Sequence, residues 1–130
     1  MKKNENDSPS GKRELHLSGN IGKFWEERAH LNEIVLKNAG LEIKRFFSLD
    51  GQVYREGALS VKTKELLGLV ASLVLRCDDC INYHLVRCYE EGVTDDELQE
   101  AFSIGLIVGG SITIPHLRRA FKSWEELKGV

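Results

Sequence analysis

The segment Arg76-Cys77-Asp78-Asp79-Cys80-Ile81-Asn82-Tyr83-His84 holds the residue types best suited to chemistry in this chain. Two cysteines separated by two residues come within disulfide reach when the backbone between them forms a turn or a first helical turn. A helix N-terminus offers unpaired amide N–H groups and the positive end of the helix dipole. Both favour the thiolate, which is the reactive form of cysteine. Arg76 adds positive charge beside Cys77, while Asp78 and Asp79 oppose it. His84 follows Cys80 by four residues and Cys77 by seven, so on a helix the three share one face. An imidazole so placed can take a proton from a thiol or return one to a leaving group. The chemistry expected is therefore that of a redox-active thiol pair, Cys77 and Cys80, with His84 as its acid–base partner.

Other candidates carry less. Glu65 stands twelve residues before Cys77, in what reads as the preceding helix. If the two helices pack side by side, Glu65 can orient His84 or relay its proton; the plainer reading is a solvated glutamate in the first turns of a helix, where it favours the dipole. Cys88 continues the face of Cys80 and His84 and reads as a small buried side chain. His116, with Arg118 and Arg119, either lines a pocket or forms a solvated helix face, and the second is expected. A structural zinc module built on Cys77, Cys80, His84 and Cys88 has suitable ligand types, but four ligands on one helix start would strain a tetrahedron. No metal and no cofactor are expected.

These residues need helices to hold them. The chain has 130 residues, which fits one domain, and its 42% hydrophobic and 29% charged residues are ordinary for a folded one. Residues 1–20 are polar and broken by glycines, and are expected to be a disordered or loosely docked tail ahead of a single helical domain over 21–130. Spacing of Phe24, Leu31, Ile34 and Val35 predicts a helix from about Gly22 to Asn38. Residues 41–57 support one or two short helices around Asp50-Gly51. Ser60 is a candidate cap for a helix over 61–75, whose second half, Leu66–Leu75, is apolar nearly all round. Asp78 is the candidate cap for a helix from Cys80 to Glu91, closed by Gly92. Thr94-Asp95-Asp96-Glu97 is a capping box opening another helix to about Val108. A last helix, with Pro115 in its first turn, runs to about Leu127.

Bulk properties exclude some partners. With 18 basic and 20 acidic residues the formal net charge is −2, so no nucleic-acid partner is expected. Leu66–Leu75 is about half the length of a membrane span, so no membrane partner is expected either. No apolar core of a signal peptide follows Met1-Lys2-Lys3. Three cysteines clustered in one short stretch do not make a secreted disulfide framework, and a cytoplasmic protein is expected.

The same residues resemble the carboxymuconolactone decarboxylase family, and within it the AhpD-like alkylhydroperoxidase branch. The pattern that carries the resemblance is Glu65, eleven residues, Cys77-x-x-Cys80, three residues, then His84, with Val61–Leu66, Gly109-Gly110-Ser111 and Pro115–Arg119 around it. The resemblance implies an all-α, AhpD-like multi-helix bundle that assembles as a homo-oligomer, usually a trimer or hexamer. It implies a thiol-dependent peroxidase that cycles the cysteine pair between dithiol and disulfide. Cys80, Cys77, His84 and Glu65 would be its catalytic residues, a hydroperoxide its substrate and an external dithiol or disulfide-reducing protein its reductant. The resemblance also favours the His84-orienting reading of Glu65. One departure stands out: AhpD has a histidine just before its second cysteine, where this chain has Asp79. The lactone-decarboxylating branch works without the cysteine pair, so the cysteines speak against decarboxylation. A thiol–disulfide oxidoreductase or redox sensor that never turns over peroxide is the alternative.

Overall fold

The structure, a computed structural model, describes residues 11–130; the first half of the expected tail therefore lies outside the described residues. Six α-helices and one short 3-10 turn follow in order: α1 Gly19–Asn38, α2 Leu41–Val53, α3 Val61–Val74, α4 Asp78–Glu90, α5 Asp95–Gly109, the 3-10 turn Ser111–Thr113, and α6 Ile114–Lys128. No strand occurs among the described residues. The fold is all-α, as the periodicities predict.

The apolar helix α3 lies at the centre, packed against α4 and α5, while α6 covers α4 and α1 leans on α6 and α4. Leu69 and Leu73 of α3 meet Ile81, Leu85 and Val86 of α4 and Leu98 and Phe102 of α5 in one buried cluster. Trp124 and Leu127 close that cluster from α6. Burying apolar side chains in this way supplies about 1.5–3 kcal/mol each. Trp124 also donates its indole N–H to Asp95 at 2.8 Å, and Lys128 reaches the other oxygen of that carboxylate at 2.7 Å. The start of α5 is thereby pinned to the end of α6.

Several helix starts follow from local chemistry. The Ser60 hydroxyl accepts from the Thr63 N–H at 3.1 Å. Thr94 and Glu97 form the reciprocal capping box, and Pro115 sits in the first turn of α6. Of the one or two helices expected over 41–57 the structure has one, Leu41–Val53, which runs through Gly51 without a break. One expectation changes. Helix α4 begins at Asp78, not Cys80, and its N-cap is Cys77 rather than Asp78. Asp78 cannot cap because its carboxylate is engaged by α6, so the Cys77 sulfur accepts the Cys80 N–H in its place.

Residues 11–18 run without helix along the bundle. The Arg13 N–H donates to the Glu90 carbonyl at 2.8 Å, and Leu15 and Leu17 pack against the core. Helix α1 starts at Gly19, three residues before the periodicity suggests. The stripe that defines it is used differently from a core stripe: Leu31, Ile34 and Val35 are exposed.

Candidate active site

The α3–α4 connection decides where the cysteines stand. At the end of α3 the Arg76 N–H bonds to the Leu73 carbonyl at 3.0 Å and the Cys77 N–H to the Ser72 carbonyl at 3.1 Å. That paired closure wants a left-handed residue between the helices, normally glycine. Helix α4 ends in the same way, with Gly92 at φ 83°. Here the residue is Arg76, at φ 58°. Left-handed backbone costs a non-glycine residue about 1–2 kcal/mol. The turn it makes is so short that Cys77 leaves α3 and caps α4 at once.

Cys77 and Cys80 form a disulfide, with Cα atoms 5.2 Å apart. Cys77 is half-buried and Cys80 is exposed. Cys80 opens into a cleft of about 490 Å³ between α1, α2 and α4. Phe24, Arg28 and Leu31 of α1 form one wall, Asp79, Tyr83 and His84 of α4 the other, and Asp50 of α2 lies at the edge. The Arg28 guanidinium stacks 4.2 Å above the Tyr83 ring, which itself stacks on Trp25 with centroids 6.0 Å apart.

His84 is buried, and Glu65 beneath it is only 1% exposed. Glu65 Oε2 stands 2.8 Å from His84 Nδ1. An ionised carboxylate only accepts, so Nδ1–H is the donor of this pair and Nε2 is the ring nitrogen left for a further partner. The Tyr54 hydroxyl lies 3.4 Å from Nε2. Burial and then the charge of Glu65 push the Tyr54 phenol above its usual range, so it remains a donor. The second oxygen of Glu65 is 3.5 Å from Arg87 Nε, and Arg87 also pairs with Glu90 and Glu91. The buried carboxylate thus faces a donor on each side, which is how a charge is tolerated in a core.

The structure places Cys80 and His84 in one cleft, bonds Cys77 to Cys80 and sets Glu65 behind His84, so the solvated reading of Glu65 does not hold. Cys88 is fully buried, and burial followed by the Glu65 charge raises its thiol well above the usual range. A thiol held protonated there is no nucleophile. His116 and Arg119 do not line the cleft; both reach Asp78. Among the described residues no three His, Cys, Asp or Glu side chains converge as a metal ion would need. The sequence reading missed Tyr54, Arg28 and Arg87, whose roles arise only from packing. It also missed Gly68: a Cβ there would stand 2.6 Å from His84 Cε1 and 2.7 Å from the Tyr54 hydroxyl oxygen.

A model of the carboxymuconolactone decarboxylase family matches residues 43–123. The chain belongs to that family. A carboxymuconolactone decarboxylase family protein of Thermotoga maritima, whose name offers an antioxidative response as a suggestion, is 64% identical to it. Its crystal structure superposes with a TM-score of 0.79, covering 82% of this chain and 91% of that one. A family member from Legionella pneumophila shares the fold at a TM-score of 0.78 and 24% identity, covering 85% of this chain and 98% of that one. "Uncharacterized protein 4 in cox locus" of Paracoccus denitrificans is 27% identical over 84 residues, which is 65% of this chain and 76% of that protein. Family membership and the cysteine pair are both compatible with a redox enzyme.

Proposed function

We propose that this family member is a thiol-dependent peroxidase of the alkylhydroperoxidase type, with Cys80 as its attacking sulfur. One observation carries the reading: Cys80 is the exposed half of a Cys-x-x-Cys pair, in a cleft it shares with an imidazole whose far nitrogen is held by a buried carboxylate. His84 Nε2 takes the proton of the Cys80 thiol. The thiolate attacks the O–O bond of ROOH and becomes a sulfenic acid; the leaving RO⁻ collects the proton from His84 as ROH. The Cys77 thiol then condenses with the Cys80 sulfenic acid, forming the disulfide and releasing water. An external dithiol gives back two electrons and two protons by thiol–disulfide exchange. The cleft's apolar wall of Phe24 and Leu31 suits the carbon chain of an organic hydroperoxide.

The test is peroxide consumption by the pure protein with a panel of dithiol reductants. Turnover is expected, and peroxide treatment of the reduced protein should lower its mass by about two protons, with peptide mapping placing the bridge at Cys77 and Cys80. Cys88→Ser should retain activity. A protein that cycles with disulfides but consumes no peroxide would shift the reading to a thiol–disulfide oxidoreductase.

The working unit in this reading is a homo-oligomer, a trimer or hexamer. The run Leu66–Leu75 is apolar nearly all round, but Leu69 and Leu73 of that run are spent in the core. The larger uncovered surface lies on α1 and α2. No residue of α2 is buried, and Phe46 is 69% exposed, with Leu49 and Val53 beside it on that helix. Stable monomers seldom leave so much contiguous apolar surface in water. Light scattering at micromolar concentration should therefore give a multiple of the chain mass, and Phe46→Glu should reduce it. A monomeric wild-type protein would contradict the assembly.

A further inference from the structure

Asp78 stands between the two cysteines and is gripped from another helix. His116 Nδ1 lies 2.7 Å from its Oδ1, and Arg119 Nε donates to its Oδ2 at 3.0 Å. Both partners come from the first turns of α6, thirty-eight and forty-one residues away in sequence. A bare carboxylate next to Cys77 would repel a thiolate of the reduced pair. A carboxylate paired with a guanidinium presents little net charge to it. We infer that Arg119, with His116 as the second hydrogen-bond partner of Asp78, acts as a positioning residue for the redox pair: by neutralising Asp78 it keeps the reduced, ionised pair accessible and so sets its reduction potential.

The sign is fixed by simple electrostatics. A pair whose thiolate is stabilised is more easily reduced, and one whose thiolate is repelled holds its disulfide more firmly. The other charges on this turn are Arg76 and Asp79, both exposed and one of each sign. They leave Asp78 as the charge whose pairing matters most. Consistent with the grip, burial pushes the Asp78 carboxyl up, but the hydrogen bonds from His116 and Arg119 outweigh it and hold it below the usual carboxylate range. Asp78 and Arg119 are partly solvated, at 43% and 57% exposed side chains, so salt weakens the effect.

This inference rests on the pair being redox-active and deepens the reading given above, but its test does not use peroxide. The full-length protein is equilibrated with mixtures of dithiothreitol and its cyclic disulfide at fixed pH, and the free thiols are counted. Dithiothreitol passes two electrons and two protons to the Cys77–Cys80 disulfide and becomes the ring disulfide. Removing the cation by Arg119→Ala should favour the protein disulfide about two- to fivefold, the size expected of a solvent-screened ion pair. Asp78→Asn should shift the equilibrium about as far toward the dithiol. The double variant should return near wild type, and Arg119→Lys should stay there, which a purely structural clamp would not produce. High salt should shrink both single shifts. Circular dichroism checks that each variant is folded. Single variants that move the equilibrium in the same direction, or that leave it unmoved, would overturn the inference, whatever the protein does with peroxide.

Discussion

Glu65→Gln and His84→Ala should each slow alkylation of the reduced cysteine pair at neutral pH, and the double variant should be little worse than His84→Ala alone. The expectation follows from geometry in which the shorter contact of Glu65 is to His84, with Arg87 farther off at 3.5 Å. Glu65 is 1% exposed, and its Oε2 lies 2.8 Å from the imidazole. In the proposed mechanism Nε2 takes the Cys80 proton, and an imidazolium forms in the core with Glu65 as its counter-ion. The glutamine amide can still accept from Nδ1–H, but it supplies no charge. The imidazolium–thiolate state then loses stabilisation, and more hydroxide is needed to populate the thiolate. The pH at which reactivity reaches half its maximum should therefore rise in both single variants. General acid–base contributions are typically about a hundredfold to ten-thousandfold. His84→Ala should approach that range, and Glu65→Gln should fall short of it. Because Glu65 acts only through His84, its loss matters little once the imidazole is gone, so the two effects should not multiply. Stopped-flow alkylation across pH reads all three variants. A Glu65→Gln protein that matches wild type at every pH removes Glu65 from the site, and effects that multiply refute the relay although both residues matter. Arg87 keeps Glu90 and Glu91 as partners, so Glu65→Gln should not leave an orphaned cation.

The candidate site was legible in the sequence to the depth that one helix and its cap reach. Cys80 and His84 share α4 and Cys77 caps it, so local spacing alone singled them out. The Ser60 cap, the Thr94–Glu97 box and Pro115 in the first turn of α6 were legible for the same reason: each is local. Glu65 was ambiguous because a glutamate near a helix start looks the same whether its face meets water or another helix. Only the packing of α3 on α4 decides, and it buries the carboxylate. Asp78 was misread as a cap for a related reason. Its side chain is the right type, but two partners on α6, His116 and Arg119, hold its two oxygens, and a sulfur takes the vacant role. The exposure of Leu31, Ile34 and Val35 carries a different lesson. An apolar stripe marks a helix face that must be covered, and it does not say whether the cover comes from the same chain.

Gly68→Ala should damage reactivity although it improves the helix. Gly68 lies inside α3, where glycine costs about 0.5–1 kcal/mol relative to alanine. On propensity alone the change stabilises. But the added Cβ would stand 2.6 Å from His84 Cε1, 2.8 Å from His84 Nε2 and 2.7 Å from the Tyr54 hydroxyl oxygen. Carbon does not approach other heavy atoms so closely, so something must move. Tyr54 can swing outward, being on an exposed connection at the end of α2. The imidazole has less freedom, because Nδ1 is tied to Glu65 and its ring packs edge-on to Tyr83 at 5.0 Å. Turning it away from α3 moves Nε2, the nitrogen proposed to take the Cys80 proton. Misplacing a reacting group by about 1 Å can cost about a hundredfold in rate. Alkylation of reduced Gly68→Ala should therefore slow by at least about tenfold, with the helical circular dichroism signal intact. Adding Tyr54→Phe removes the hydroxyl contact but leaves both imidazole contacts, so it should not restore the rate. The melting temperature separates the causes. A lower value with slow alkylation means that the core resists the methyl; an unchanged value with slow alkylation means that His84 has yielded. A protein that melts higher and reacts as fast as wild type would show that the close approach of α3 to His84 is not what positions the base.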